Sequence, residues 1–460
     1  MTSVLINRNF ALLFASRFIS LFGDILFDTT LSLWIVTQLA HGQAWAPTAL
    51  GGVLLAALLP VLTFGSLAGV LVDRRDKRTL MLRMDAARAL LIAPLLLLTD
   101  LLPLPFALPV LAKLLFLYLI VFLSSMCAQM FNPAAFGLLG DIVTAERQAQ
   151  ANGLLQMSGG SVAILAPPIA TVLYFALGTQ VAIVLNACSF LVSFLALLAV
   201  HSPPFCPQPA PAGPRAFLQE YLAGLRFLLG NRILQAVMIG ALLAVFAEGA
   251  QQALGIFFYQ QNVHAPLSLY GVMLGIAGAG LIGGSLLAAL FAQRLGVGRV
   301  FSTALLCEGI VVIFYARTTS FLPACLALCA ISVLVAVVNV AVNPLALFVT
   351  PKEMIGRISA AATSMLSLAG TASIALASGL AGGALSAFHA TWFGLSFASF
   401  DTIFAATGVI TIGGALYTFP RLWRINIASG ERDTQEREST EHMQETGDTD
   451  EETVKGAAER

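Results

Sequence analysis

The chain has 460 residues, 58% hydrophobic and only 10% charged, with a mean hydropathy of +0.87. A soluble domain is nearer half apolar and a quarter charged, so this composition excludes a single water-soluble domain and points to a helical membrane protein. The net charge of zero conceals an acidic C-terminal tail: residues 431–460 hold 11 acids and 4 bases.

Taken in order, twelve apolar segments of spanning length are predicted at 9–38, 47–72, 79–99, 108–131, 150–177, 180–200, 233–260, 268–292, 299–317, 320–349, 357–386 and 394–419. Turn signals such as His41-Gly42, Gly178, Gly296 and Thr350-Pro351 separate them. Between segments six and seven lies a Pro-rich stretch, then Arg215 to Leu229 with the apolar stripe of an interfacial helix. The expected division is a six-helix bundle over 1–200, a linker over 201–232, a second six-helix bundle over 233–420 and an acidic, disordered tail over 421–460. With the N-terminus in the cytosol and the segments alternating, the bases collect on the cytosolic side and Arg317 alone falls in an outer loop. Both termini are therefore expected in the cytosol. No cleavable leader, disulfide framework or metal-ligand spacing is legible, and no cofactor is expected.

Charges within spans are costly and need a reason. Arg17, Asp24 and Asp28 lie seven and four residues apart on one stripe of the first span. Two carboxylates one turn apart in a low dielectric resist double ionisation, the condition for taking up and releasing a proton. Asp24 and Asp28 are therefore the expected proton carriers, tuned by Arg17. In the seventh span Glu248, Gln251 and Gln252 form a polar face suited to lining a cavity. Asn339 and Asn343 line one face of the tenth. Asp85 and Arg88, three apart in the third span, are expected to pair locally, and Glu308 and Asp401 have no evident partner. Aligning the charged loop after span two with Gln293–Arg299 gives an internal offset of 220, which sets Asp28 opposite Glu248. The spans are otherwise rich in Phe, Leu, Ala and Gly, so an internal cavity suits a lipophilic or amphipathic compound.

The loop reads Gly69, Asp73, Arg74, Asp76, Lys77 and Arg78. With the apolar chain over about 8–420 it resembles the major facilitator superfamily, whose loop between helices two and three has a second Gly where this chain has Asp76. The stretches Asn7-Arg8-Asn9-Phe10, Gly23-Asp24, Phe131-Asn132-Pro133-Ala134, Ala151-Asn152-Gly153 and Gly356-Arg357 are similar to the bacterial drug, macrolide and siderophore exporters of that superfamily. The exporter motif of helix five survives only in part, as Gly159, Gly160, Ala166-Pro167-Pro168 and Ala170. The resemblance implies an all-α fold of two six-helix bundles and alternating access. It also implies a cytosolic gate formed by Gly69, Asp73, Arg74, Lys77 and Arg78. The expected activity is proton-coupled export of a small molecule by a monomer in the bacterial inner membrane. Its partners would be substrate, protons and membrane lipids, with no nucleic acid. A lysophospholipid or other lipid transporter is the nearest alternative, and a non-transporting receptor or scaffold the alternative of another class.

Overall fold

The computed structural model describes residues 6–99, 108–202, 214–351, 354–392 and 395–423; the acidic tail and the stretch 203–213 lie outside them. Thirteen α-helices follow in order: α1 (Arg8–Trp34), α2 (Ala46–Asp73), α3 (Lys77–Ile92), α4 (Val110–Ile142), α5 (Ala145–Leu177), α6 (Thr179–Leu198), α7 (Pro214–Gly230), α8 (Arg232–Phe258), α9 (Tyr270–Leu295), α10 (Val297–Ala316), α11 (Phe321–Val349), α12 (Ile355–Gly382) and α13 (Ser399–Leu422). Eleven of them are long and apolar enough to cross a membrane. Large apolar side chains crowd their outward faces, among them Leu90 at 76%, Met157 at 70% and Leu111 at 68% exposed. Water would not tolerate such a surface, and lipid does.

The third predicted span is the one that departs from the count of twelve. α3 stops after 16 residues and continues as a tighter 3-10 stretch, Ala93–Leu98. Pro94 has no N–H to donate and breaks the α ladder there. Lys77, Arg78, Arg83, Asp85 and Arg88 also hold its hydropathy down. The last span starts later than 394. A hairpin of β1 (His389–Trp392) and β2 (Leu395–Ala398) precedes it, antiparallel with His389 opposite Ala398. Asp401 ends the hairpin by accepting from Ala398 N at 2.7 Å at the start of α13, and it pairs with Arg317 at 3.0 Å. Arg317 is thus the partner Asp401 lacked in sequence. The predicted interfacial helix is α7, which packs on α12.

The packing repeats. α1 lies on α5 and α6, α2 on α4, and α3 on α4 and α6. Replacing α1–α6 by α8–α13 in order reproduces each contact: α8 with α12 and α13, α9 with α11, and α10 with α11 and α13. The starts agree as well. Asn7 caps α1 by accepting from Phe10 N, and Asn231 caps α8 by accepting from Ile233 N and Leu234 N. Both helices end in five residues of wider π turn, Ile35–Leu39 and Tyr259–Val263.

Two seams join the sets, α5 with α9 and α2 with α12, and they exchange under the same substitution. Both depend on backbones coming close. A Cβ on Gly275 would fall 2.7 Å from Ile164 O, and one on Gly278 2.8 Å from Ala163 O. At the other seam Gly51 faces Ser378, Gly382 faces Thr48, and Thr48 Oγ1 donates to Ser378 O at 3.2 Å. Because successive helices alternate in direction, both seams lie at the hairpin end. At the opposite end a cleft of about 760 Å³ separates α2 from α12, bordered by Gly65, Gln129, Tyr221 and Ser359.

Candidate functional site

Between the seams and the cleft lies a cavity of about 350 Å³ lined from both sets of helices. Leu50, Val53 and Leu54 of α2 and Tyr270, Met273 and Leu274 of α9 give it apolar walls. Asp28, Gln251 and Gln252 enter it from α1 and α8. The neighbouring hydroxyls are occupied by their own helix: Thr29 donates to Ile25 O at 2.8 Å and Ser32 to Asp28 O at 3.0 Å. Gln251 reaches back to Ala247 O at 3.4 Å. Among the described residues no hydrogen bond or ion pair engages the Asp28 carboxylate or the Gln252 amide. An apolar chamber with one unpaired carboxylate and one unpaired amide is suited to an amphipathic guest.

Asp24 and Arg17 face a second space, about 360 Å³, inside the first set and shared with Arg88. Arg88 is buried and pairs with Asp24 at 3.4 Å; its guanidinium lies over Phe131 at 5.0 Å and Phe190 at 4.5 Å. The local Asp85–Arg88 pair expected from sequence is not formed. Asp85 accepts from Ser193 of α6 at 2.5 Å, and Ser193 meets Ser16 at 2.7 Å. Three residues along one helix bring two side chains to a common face, yet here each finds a better partner on a different neighbour. No ion pair among the described residues joins Arg17 to either acid.

Glu248 does not share the Asp28 cavity. It borders a third space, about 100 Å³, with Glu308 and Asn339, while Asn343 is exposed one turn further along α11. The helix ends explain the separation. Arg8 and Arg232, Trp34 and Phe258, and Leu39 and Val263 are each 224 residues apart. This register sets Glu248 opposite Asp24 and Gln252 opposite Asp28. The offset of 220 is correct for α3 and α10, which start at Lys77 and Val297, but four residues short for α1 and α8. Four residues is about one helical turn, so the face was right and the depth was wrong. Sequence reading missed Arg88 and Glu308 as site residues. A repeated signal was present: Asn132-Pro133 and Asn343-Pro344 both fall at the twenty-third and twenty-fourth residues of their helices, α4 and α11.

At the charged loop, Asp76 is the N-cap of α3, with φ −60° and its carboxylate accepting from Thr79 N at 2.6 Å. Glycine is not required at that φ. Lys77 pairs with Asp141 at 2.7 Å on α4, and Arg78 donates to Leu197 O and Leu198 O at the end of α6. Gly69 lies in α2, which ends at Asp73; Arg74 follows as its C-cap. The contacts of Lys77 and Arg78 stay within the first set of helices.

A twofold-repeated packing of long apolar helices around a central cavity is the architecture of a membrane transporter. The chain belongs to the Major Facilitator Superfamily, which it matches over residues 13–374, a family of transporters and not of enzymes. It is 23% identical over 367 residues to the uncharacterised MFS-type transporter YkuC of Bacillus subtilis (strain 168), covering 77% of this chain and 81% of that one. To YvqJ of the same organism, also described as an uncharacterised MFS-type transporter, it is 26% identical over 327 residues, covering 69% and 72%. Its fold is similar to the nucleoside transporter NupG (TM-score 0.67, 13% identity, 91% of this chain and 100% of that one). It is also similar to a bacterial homologue of the iron transporter ferroportin in an inward-facing state (TM-score 0.66, 13% identity, 89% and 98%).

Proposed function

We propose that this protein is a secondary active exporter of a lipophilic or amphipathic small molecule, coupled to proton entry and working by alternating access. Its twelve spans, α3 with its 3-10 extension included, form two six-helix bundles in the bacterial inner membrane with both termini cytosolic. The concentration of bases on one side supports that orientation, and it makes the cleft between α2 and α12 the cytosolic mouth. The seams at the hairpin end then close the outer side, which is the arrangement for loading from the cytosol.

One observation carries the reading: among the described residues the Asp28 carboxylate has no partner, in an apolar cavity built jointly by both sets of helices. An unpaired acid that opens into a cavity between the two sets of helices is the expected meeting point of proton and substrate. Asp24, held by Arg88 and sharing its pocket with Arg17, responds to the same site from one turn away. Gln251 and Gln252 offer amide contacts to the guest. Gly69, Asp73, Arg74, Lys77 and Arg78 act as the cytosolic gate, with Lys77 and Arg78 parked on α4 and α6 while the mouth is open.

The test is flux in proteoliposomes under an imposed proton gradient, with lipophilic cations, neutral amphiphiles and labelled lysophospholipid supplied in turn. Asp28→Asn is expected to bring gradient-driven flux to background while the protein still binds substrate. Coupled flux unchanged in Asp28→Asn overturns the assignment of the proton site. Movement of lysophospholipid alone selects the lipid-transporter alternative.

A further inference from the structure

The two halves build the same pocket from the same positions but with opposite charge. The seventeenth residues of α1 and α8 are Asp24 and Glu248. The twelfth residues of α3 and α10 are Arg88 and Glu308. The nineteenth residues of α4 and α11 are Ala128 and Asn339, and the tenth residues of α1 and α8 are Arg17 and Ala241. All four residues of the first half border the pocket of about 360 Å³, and all four of the second border the pocket of about 100 Å³. The first half thus supplies two guanidinium groups to one carboxylate. The second supplies two carboxylates, an amide and no base.

Glu308 is fully buried, and neither of its carboxylate oxygens has a hydrogen-bond partner. No hydrogen bond or ion pair among the described residues joins it to Glu248, so the pair is not arranged around a proton passed directly between them. Glu308 borders a small space whose walls, besides Glu248 and Asn339, are Ala, Val and Leu. Isolated negative charge in such surroundings is costly unless a cation compensates it. Glu248 and Asn339 are exposed residues and border the same space as the buried Glu308.

We propose that Glu248, Glu308 and Asn339 form a binding site for a small hard metal cation, which takes the place that the Arg88 guanidinium fills in the first half. The donors are oxygens only, two carboxylates and one amide carbonyl, the set that suits Na⁺, Mg²⁺ or Ca²⁺ rather than a thiophilic metal. The pocket admits an ion with a water and excludes a drug-sized molecule. Sequence spacing did not reveal the site because each ligand comes from a different helix.

The experiment is thermal unfolding of the purified full-length protein in choline chloride, with NaCl, MgCl₂ or CaCl₂ substituted at constant ionic strength. At least one of these cations is expected to raise Tm saturably, because it binds the folded state alone. The rise should vanish in Glu308→Gln and weaken in Glu248→Gln. Glu248 is exposed, so its variant keeps the test open should Glu308→Gln fail to fold. Absence of a rise with all three cations overturns the proposal, as does a rise that both variants retain. A Tm that responds to pH and to none of the salts also overturns it, in favour of protons alone. The readout is binding, so it stands or falls independently of transport through the Asp28 cavity.

Discussion

Asp76 shows how a departure from a family motif is resolved at the scale of one side chain. The motif's glycine is replaced, yet the chain turns at φ −60° and uses the new carboxylate to cap α3. Asp76→Ala should therefore cost about 1 kcal/mol, and Asp76→Gly, which restores the motif, only a few tenths, read as Tm of the purified protein. A Tm gain in Asp76→Gly would show that the cap contributes nothing. Arg88 is more exacting, since it holds Asp24 and lies over two rings. Arg88→Met should destabilise the protein by about 1–3 kcal/mol, and adding Asp24→Asn should recover part of that loss, as a double-mutant cycle on Tm would reveal. The stripe of Arg17, Asp24 and Asp28 was legible because a helix fixes which residues share a face. The partner of Asp24 was not, because it comes from α3, 64 positions away.

Among the elements, spans were legible wherever about twenty predominantly apolar residues ran without a charge, as in α2, α6 and α11. The exceptions have local causes: Pro94 stops α3 early, and Asp401 defers the start of α13 until the hairpin is complete. The partial exporter motif of α5 finds its explanation in a neighbour. Gly271, Gly275 and Gly278 of α9 bring that helix onto the backbone between Ala163 and Thr171, so α5 offers carbonyls where α9 offers glycines. Gly275→Val places side-chain atoms where Ile164 O already stands. It should cost about 1–3 kcal/mol by overpacking and leave the α5–α9 seam unable to close. Flux in vesicles should fall in step with the lost closure, and normal flux in that variant would remove the seam from the transport cycle.

For the whole molecule, the duplication was visible in sequence but misplaced by one turn, and that turn decides which acids meet. In the proposed alternating-access cycle, the symmetric exchange of seams implies that both open together. A Cβ at Gly382 would lie 3.3 Å from that of Thr48, near the separation a disulfide needs. In a cysteine-free background, Thr48→Cys with Gly382→Cys should cross-link under oxidation, halt flux, and release it on reduction. Full flux in the oxidised form would mean that this seam never parts.

The wide turns that end α1 and α8 have a consequence for length rather than for charge. In each, hydrogen bonds reach one residue further than in an α-helix, as Ala40 N does to Ile35 O at 2.8 Å. Such a turn is an inserted residue that the helix has absorbed without shifting its ends. Deleting Val36 should let the ladder close as an ordinary α-helix, leaving Asp28, two turns upstream, at its present depth. Measured by expression, monodispersity and flux, that deletion should be tolerated far better than the removal of a residue between Asp24 and Asp28, which would turn one acid away from the stripe.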